Sequence, residues 1–132
     1  GAEEAIVVVE VPNRYLAGIT EVALKNHCAD KTNWRKMLTN TYDAVDLVQE
    51  KAKVQAWLPD EVREFYNLDK NEIIAMHYPV AAYPAKVNSL NLDKTPFYQG
   101  QLIGVKGQYL LFQDGTVFNV RSYEGYVVQI AI

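Results

Sequence analysis

Glu21 lies in the run VPNRYLAGITEVALKNH (11–27), with Ala17 and Gly18 one turn earlier and Arg14 and Lys25 on its side of the helical wheel. Small neighbours leave room for a ligand, and a hard divalent cation suits an open carboxylate. The same spacing also makes an i,i+4 Glu–Lys pair worth about 0.2–0.5 kcal/mol. Spacing alone favours that pair, because such pairs are common on helices. A second group is Lys31, Arg35 and Lys36 around Trp34 in DKTNWRKML. Its cations could contact phosphates while the indole stacks on a base. The competing and favoured reading is a solvated helix with Trp34 turned into the core.

A third group lies near the end of the chain, where Gln108, Asn119 and Arg121 would project from one hairpin face beside Tyr123 and Tyr126. That is either a platform for a ligand or nucleic acid, or the wet side of a half-buried sheet; the latter is the default. GVKG (104–107) is only superficially a phosphate cradle, because it is too short for a P-loop and precedes a strand. Its glycines fit a bulge or tight turn better. His27 and His77 have no supporting Asp, Ser or Cys pattern and read as structural. The single cysteine, Cys28, excludes an internal disulfide and a cysteine-based zinc site. Its place on a helix near an apolar face predicts a buried, inert thiol.

The elements that must position these residues follow from the hydrophobic pattern. AIVVVEV (5–11) is β-branched and nearly continuous, as expected of a strand buried on both faces, and Pro12 ends it. Asn13 can cap a helix of about 15 residues whose stripe of Leu16, Ile19, Ala23, Leu24 and His27 faces the core. Thr32 or Asn33 can cap a short helix carrying Trp34, Met37 and Leu38. A further helix is predicted over 42–57, with Val45, Val48, Ala52 and Ala56 inward, and a short one after Pro59.

EIIAMHYPV (72–80) is a candidate strand, and the proline-edged connector after it could add an edge strand. QGQLIGVKG, QYLLFQ, TVFNVRSY and GYVVQIAI then read as four strands separated by turns. Asp114-Gly115 suits a two-residue hairpin, pairing Leu111 with Phe118 and Tyr109 with Val120 on one face. The expected fold is α+β: one buried strand plus helices over 1–70, then an antiparallel meander or half-barrel of about four strands over 71–132.

Composition sets the outer bounds. The chain has 132 residues, 49% of them hydrophobic and 22% charged, enough for one domain with a real core or for two tightly joined small subdomains. No apolar run reaches membrane-spanning length, and no signal-peptide progression is present, so no membrane partner and a cytoplasmic location are expected. The first residue is Gly, which is expected of a processed form or a piece of a longer protein. A net charge of −3 argues against coating nucleic acid by bulk electrostatics. The acidity is concentrated in 41–80, with eight acids against four bases.

PNRYLAGITEVALKNHCADKTNWRKML, followed downstream by GQLIGVKGQYLLFQDGTVFNVRSYEGYVV, closely resembles the C-terminal half of a bacterial family of unknown function. The resemblance implies full-length members with an N-terminal cysteine-rich, zinc-ribbon-like segment, then a segment similar to the start of the GIY-YIG nuclease fold. By that more distant likeness, 5–11 would be the third nuclease strand and Glu21 the glutamate that holds a single Mg²⁺ or Mn²⁺. The tyrosine strands and arginine helix of that fold are absent from this chain. It is therefore expected to hold no cofactor and to be inactive alone, as part of a longer metal-dependent nuclease that acts on nucleic acid. Arg14, Lys31, Arg35 and Lys36 would be its phosphate contacts. The alternative is a non-catalytic binding module that uses the C-terminal sheet, with Asn119 and Arg121 on its working surface. Unpaired edges on strand 5–11 would suit a homodimer formed through that strand.

Overall fold

The computed structural model describes residues 1–29 and 31–131. In chain order its elements are β1 (Glu4–Ile6), α1 (Arg14–Leu24), α2 (Trp34–Leu38), α3 (Leu47–Val54), α4 (Asp60–Arg63), β2 (Ile73–Ala75), β3 (Asn88–Ser89), β4 (Leu102–Lys106), β5 (Tyr109–Phe112) and β6 (Thr116–Asn119). Short 3-10 turns occupy Gln55–Trp57 and Val120–Tyr123. The chain is α+β with a strand-rich last third, and no barrel closes among the described residues. It divides into a helical unit, 2–32 with 43–76, and a strand-rich unit, 33–42 with 77–132 and Gly1.

In the helical unit β1 runs antiparallel to β2, with Glu4 opposite Ala75 and Ile6 opposite Ile73. The strand expected over 5–11 is thus short, with Val9 adding an isolated bridge to Tyr66. Its residues are at most half-buried, because a two-stranded ribbon gives each strand one neighbour. Asn13 caps α1 as its chemistry requires, its side-chain oxygen accepting from Leu16 N–H at 3.0 Å. α1 stops at Leu24, after 11 residues. Cys28 lies beyond that end and is exposed, which overturns the expectation of a buried thiol. His27 stacks on Trp57 with ring centroids 4.2 Å apart, the structural role expected of it.

α3 begins at Leu47, not at 42, because the Asp46 carboxylate accepts from Val48 and Gln49 N–H at 3.0 and 3.1 Å. The inward stripe shifts accordingly: Lys51, Val54, Leu58 and Val62 are buried, while Val45 and Val48 are exposed. A lysine can take that place because its ammonium donates to the carbonyls of Asn67 at 2.7 Å and Lys70 at 2.5 Å. Tyr66 closes the arrangement by donating its hydroxyl to the Lys51 carbonyl at 3.2 Å.

The strand-rich unit holds one sheet in the order β3-β6-β5-β4. β4, β5 and β6 form the expected meander, and the connector supplies β3, which runs parallel to β6. GYVVQIAI adds no strand among the described residues, and Val127 is fully exposed. The outer edge of β4 is already occupied, since Ala81 N–H donates to Ile103 O and Val105 N–H to Pro79 O. Asn119 caps the turn after β6, and Gly125, at φ +88°, lies in the chain that follows it.

The β5–β6 register corrects the pairing inferred from Asp114-Gly115. Leu111 faces Val117, Leu110 faces Phe118 and Tyr109 faces Asn119, so β6 is displaced by one residue. Only Gly115 takes a positive φ, +83°, and Gly115 N–H donates to Phe112 O at 3.0 Å, so the connection is a three-residue loop. A one-residue slip exchanges the two faces of a strand. Val117 therefore joins Tyr109 and Leu111 in the core, together with Leu38 and Val87. Trp34, Met37, Val80, Tyr83 and Ile103 pack around them, so α2 covers the sheet and Trp34 turns inward. Gly104 marks a bulge where an added Cβ would lie 2.8 Å from Val80, and Gly107, at φ +59°, turns the β4–β5 hairpin.

Candidate functional site

Asn33 caps α2 by accepting from Lys36 N–H at 3.2 Å, and this fixes Trp34 at the first helical position against the sheet. Its ring stacks on Tyr109 with centroids 5.8 Å apart. The Arg35 guanidinium lies over the Trp34 ring, 4.2 Å from its centroid, and is itself exposed. Such a cation–π contact is worth about 0.5–1 kcal/mol at an exposed site and holds the planar group ready, with its N–H edges still available. Tyr109 continues the ladder, its hydroxyl accepting from Asn119 Nδ2 at 3.3 Å. Asn119 Oδ1 in turn accepts from Gln108 Nε2 at 2.9 Å and from Ser122 N–H at 3.4 Å. That last bond caps the turn which carries Arg121, exposed, two residues beyond Asn119.

Arg35 and Arg121, far apart in sequence, are thereby joined through Trp34, Tyr109 and Asn119. Asn119 is not a free element of a wet sheet face, as the sequence suggested: the register turns it toward Tyr109, where it orients its neighbours. Lys36 is exposed on α2 of the same unit, whereas Lys31 belongs to the helical unit, so the proposed basic cluster is divided between the two. Arg14 and Glu21 are exposed on α1 of the helical unit. Among the described residues neither makes an ion pair, and the expected Glu21–Lys25 bridge is not formed.

Charge separates along the same division. The strand-rich unit has six Lys/Arg against three Asp/Glu, and the helical unit has seven against thirteen. Five of the six, Arg35, Lys36, Lys86, Lys94 and Arg121, are exposed. The sixth, Lys106, is buried at the end of β4, where it meets the Tyr78 and Tyr83 rings at 5.2 and 4.8 Å. It donates to Asn40 Oδ1 at 3.4 Å and to the Tyr83 hydroxyl at 3.5 Å, and Asn40 takes a left-handed φ of +53° there. Sequence reasoning weighed Lys106 only as the lysine of GVKG and passed over Lys51. Strand alternation was the signal for Lys106, which pairs with the inward Tyr109.

The β5–β6 loop holds a perturbed carboxylate. Asp114 sits below the ordinary carboxylate range, chiefly because Thr116 N–H donates to it at 2.8 Å, with the Thr116 and Tyr98 hydroxyls adding further donors. Tyr98 is raised by burial first and by Asp114 next. Tyr126 is raised by the carboxylate of Asp93, to which it donates at 2.7 Å. These bonds tie loops to the sheet and present no nucleophile–base pair.

A hard cation requires several oxygen donors. Glu21 is the one acid on α1, and no group of three His, Cys, Asp or Glu converges among the described residues. Among the described residues, Glu21 therefore lacks the two further acid, histidine or cysteine partners with which to share a cation. No helix among the described residues is long and apolar enough to cross a membrane. A model of the family described as protein of unknown function (DUF2797) matches residues 1–128. No curated protein and no solved structure matches the chain.

Proposed function

We propose that this chain, which belongs to the DUF2797 family, is a nucleic-acid-directed part of its protein that binds without cutting, with the strand-rich unit as its contact surface. The observation that carries this reading is the separation of charge: an excess of exposed Lys and Arg on the sheet unit within a chain of net charge −3. Phosphate neutralisation needs local positive charge, not a basic whole. Arg35, held flat over Trp34, and Arg121, held by the Asn119 cap, supply guanidinium edges that suit phosphate oxygens. Trp34 itself is occupied by Tyr109, so contact is to the backbone of the nucleic acid and is weakly selective for sequence.

Fluorescence anisotropy with labelled single-stranded and duplex oligonucleotides, over a range of salt, tests this. Affinity should fall linearly with log salt, and Arg35→Ala and Arg121→Ala should each lower the slope by about 1. Absence of binding at low salt to every oligonucleotide, or slopes unmoved by either substitution, would overturn it.

A further inference from the structure

We infer that α1 is a dimer seam, pairing antiparallel with α1 of a second copy of this chain about a two-fold axis beside Gly18. The inference does not rest on the nucleic-acid reading, because it concerns the helical unit alone.

α1 buries Thr20 and leaves a second apolar face in solvent: Tyr15 is 73% exposed and Val22 70% exposed. These two residues, with Gly18, Ile19 and Ala23, line a shallow apolar groove with Arg14 at its end. The spacing of Tyr15, Gly18, Ile19 and Val22 is that of a helix-packing stripe, and it faces away from the side that buries Thr20. Gly18 supplies the close approach, since a Cβ added there would meet nothing within 4 Å.

The occupant is identified by charge. Arg14 and Glu21 are seven residues apart, nearly two full turns, so they flank the stripe on the same side. When two such helices pair antiparallel, like flanks meet. Arg14 of each copy then stands opposite Glu21 of the other, giving two ion pairs from one residue pair. Among the described residues both side chains are without an ion-pair partner inside the chain. A parallel pairing would not make these bridges. A seam built on one 11-residue helix is smaller than standard interfaces, so the dimer is weak, with a Kd on the order of 10–100 μM.

Analytical ultracentrifugation over a concentration series reads this directly. Wild type should dimerise reversibly. Arg14→Glu and Glu21→Arg should each weaken the dimer roughly tenfold, because attraction becomes repulsion at two symmetric places. The double reversal should restore wild-type affinity, and Val22→Glu should weaken the dimer without rescue by either reversal. All three positions are exposed, so thermal melts of the four variants should match wild type. A monomer at up to about ten times the expected Kd would overturn the proposal. So would single reversals that leave the Kd unmoved, or a double reversal that does not rescue.

Discussion

Lys51 and Asp114 illustrate how single side chains set the behaviour of this chain. Lys51 takes a core position because two carbonyls from the 67–70 loop receive its ammonium. Lys51→Met keeps most of the stem but leaves both carbonyls without that donor, a loss of about 1–3 kcal/mol. Urea unfolding should show it, and a loss near zero would mean that the loop rearranges. Asp114 has its folded value lowered by the donors around it. Its contribution to stability is therefore present above the unfolded value near 3.9 and disappears as pH falls through the lower folded value. Melts of Asp114→Asn below about pH 4 should decline less steeply than wild type, and parallel curves would contradict this. At this scale the sequence was legible where partners are local. Asn13 and Asn33 cap as their types demand, since the receiving amide lies three residues on. Lys51 was not legible, because its partners lie 16 and 19 residues away.

At the scale of elements, the helices and the β4–β6 meander could be read from periodicity, and their boundaries could not. Asp46 starts α3 five residues later than the apolar pattern suggested, and that displacement moves the buried stripe. The β5–β6 hairpin shows the same lesson in a sheet. Asp-Gly signals a turn, but both two- and three-residue loops accept it, and the choice decides which face of β6 enters the core. Gly115 is the deciding residue: it has φ +83°, and an added Cβ would lie 2.6 Å from the Lys86 carbonyl. Gly115→Ala should therefore destabilise the chain by more than about 1 kcal/mol. The Asn88 and Leu90 amides, which donate to the Gly115 and Val117 carbonyls, should lose hydrogen-exchange protection together. A neutral Gly115→Ala would contradict the left-handed backbone and the close approach to Lys86 at this position.

Across the whole molecule the informative property is the distribution of charge, which emerges only after folding. Read in contiguous thirds, the sequence places its acidity in 41–80 and leaves the two ends near neutral. The fold removes 33–42 from its neighbours and places it with 77–132, because Trp34, Met37 and Leu38 complete the sheet core. That regrouping joins Arg35 and Lys36 to Arg121 and leaves Glu21 in an acidic unit, where phosphate would be repelled. The α+β class was accessible from pattern, whereas the grouping of Arg35 with Arg121, 86 positions apart in sequence, was not.

The most direct test maps nucleic-acid contact residue by residue. ¹H–¹⁵N spectra of the isotopically labelled chain, titrated with a short oligonucleotide at low salt, should show shifts at Arg35, Lys36, Arg121 and the capped 120–123 turn. Glu21 and the rest of α1 should stay unmoved. Shifts centred on α1, or none in the strand-rich unit at saturating oligonucleotide, would contradict the assignment of that unit as the contact surface.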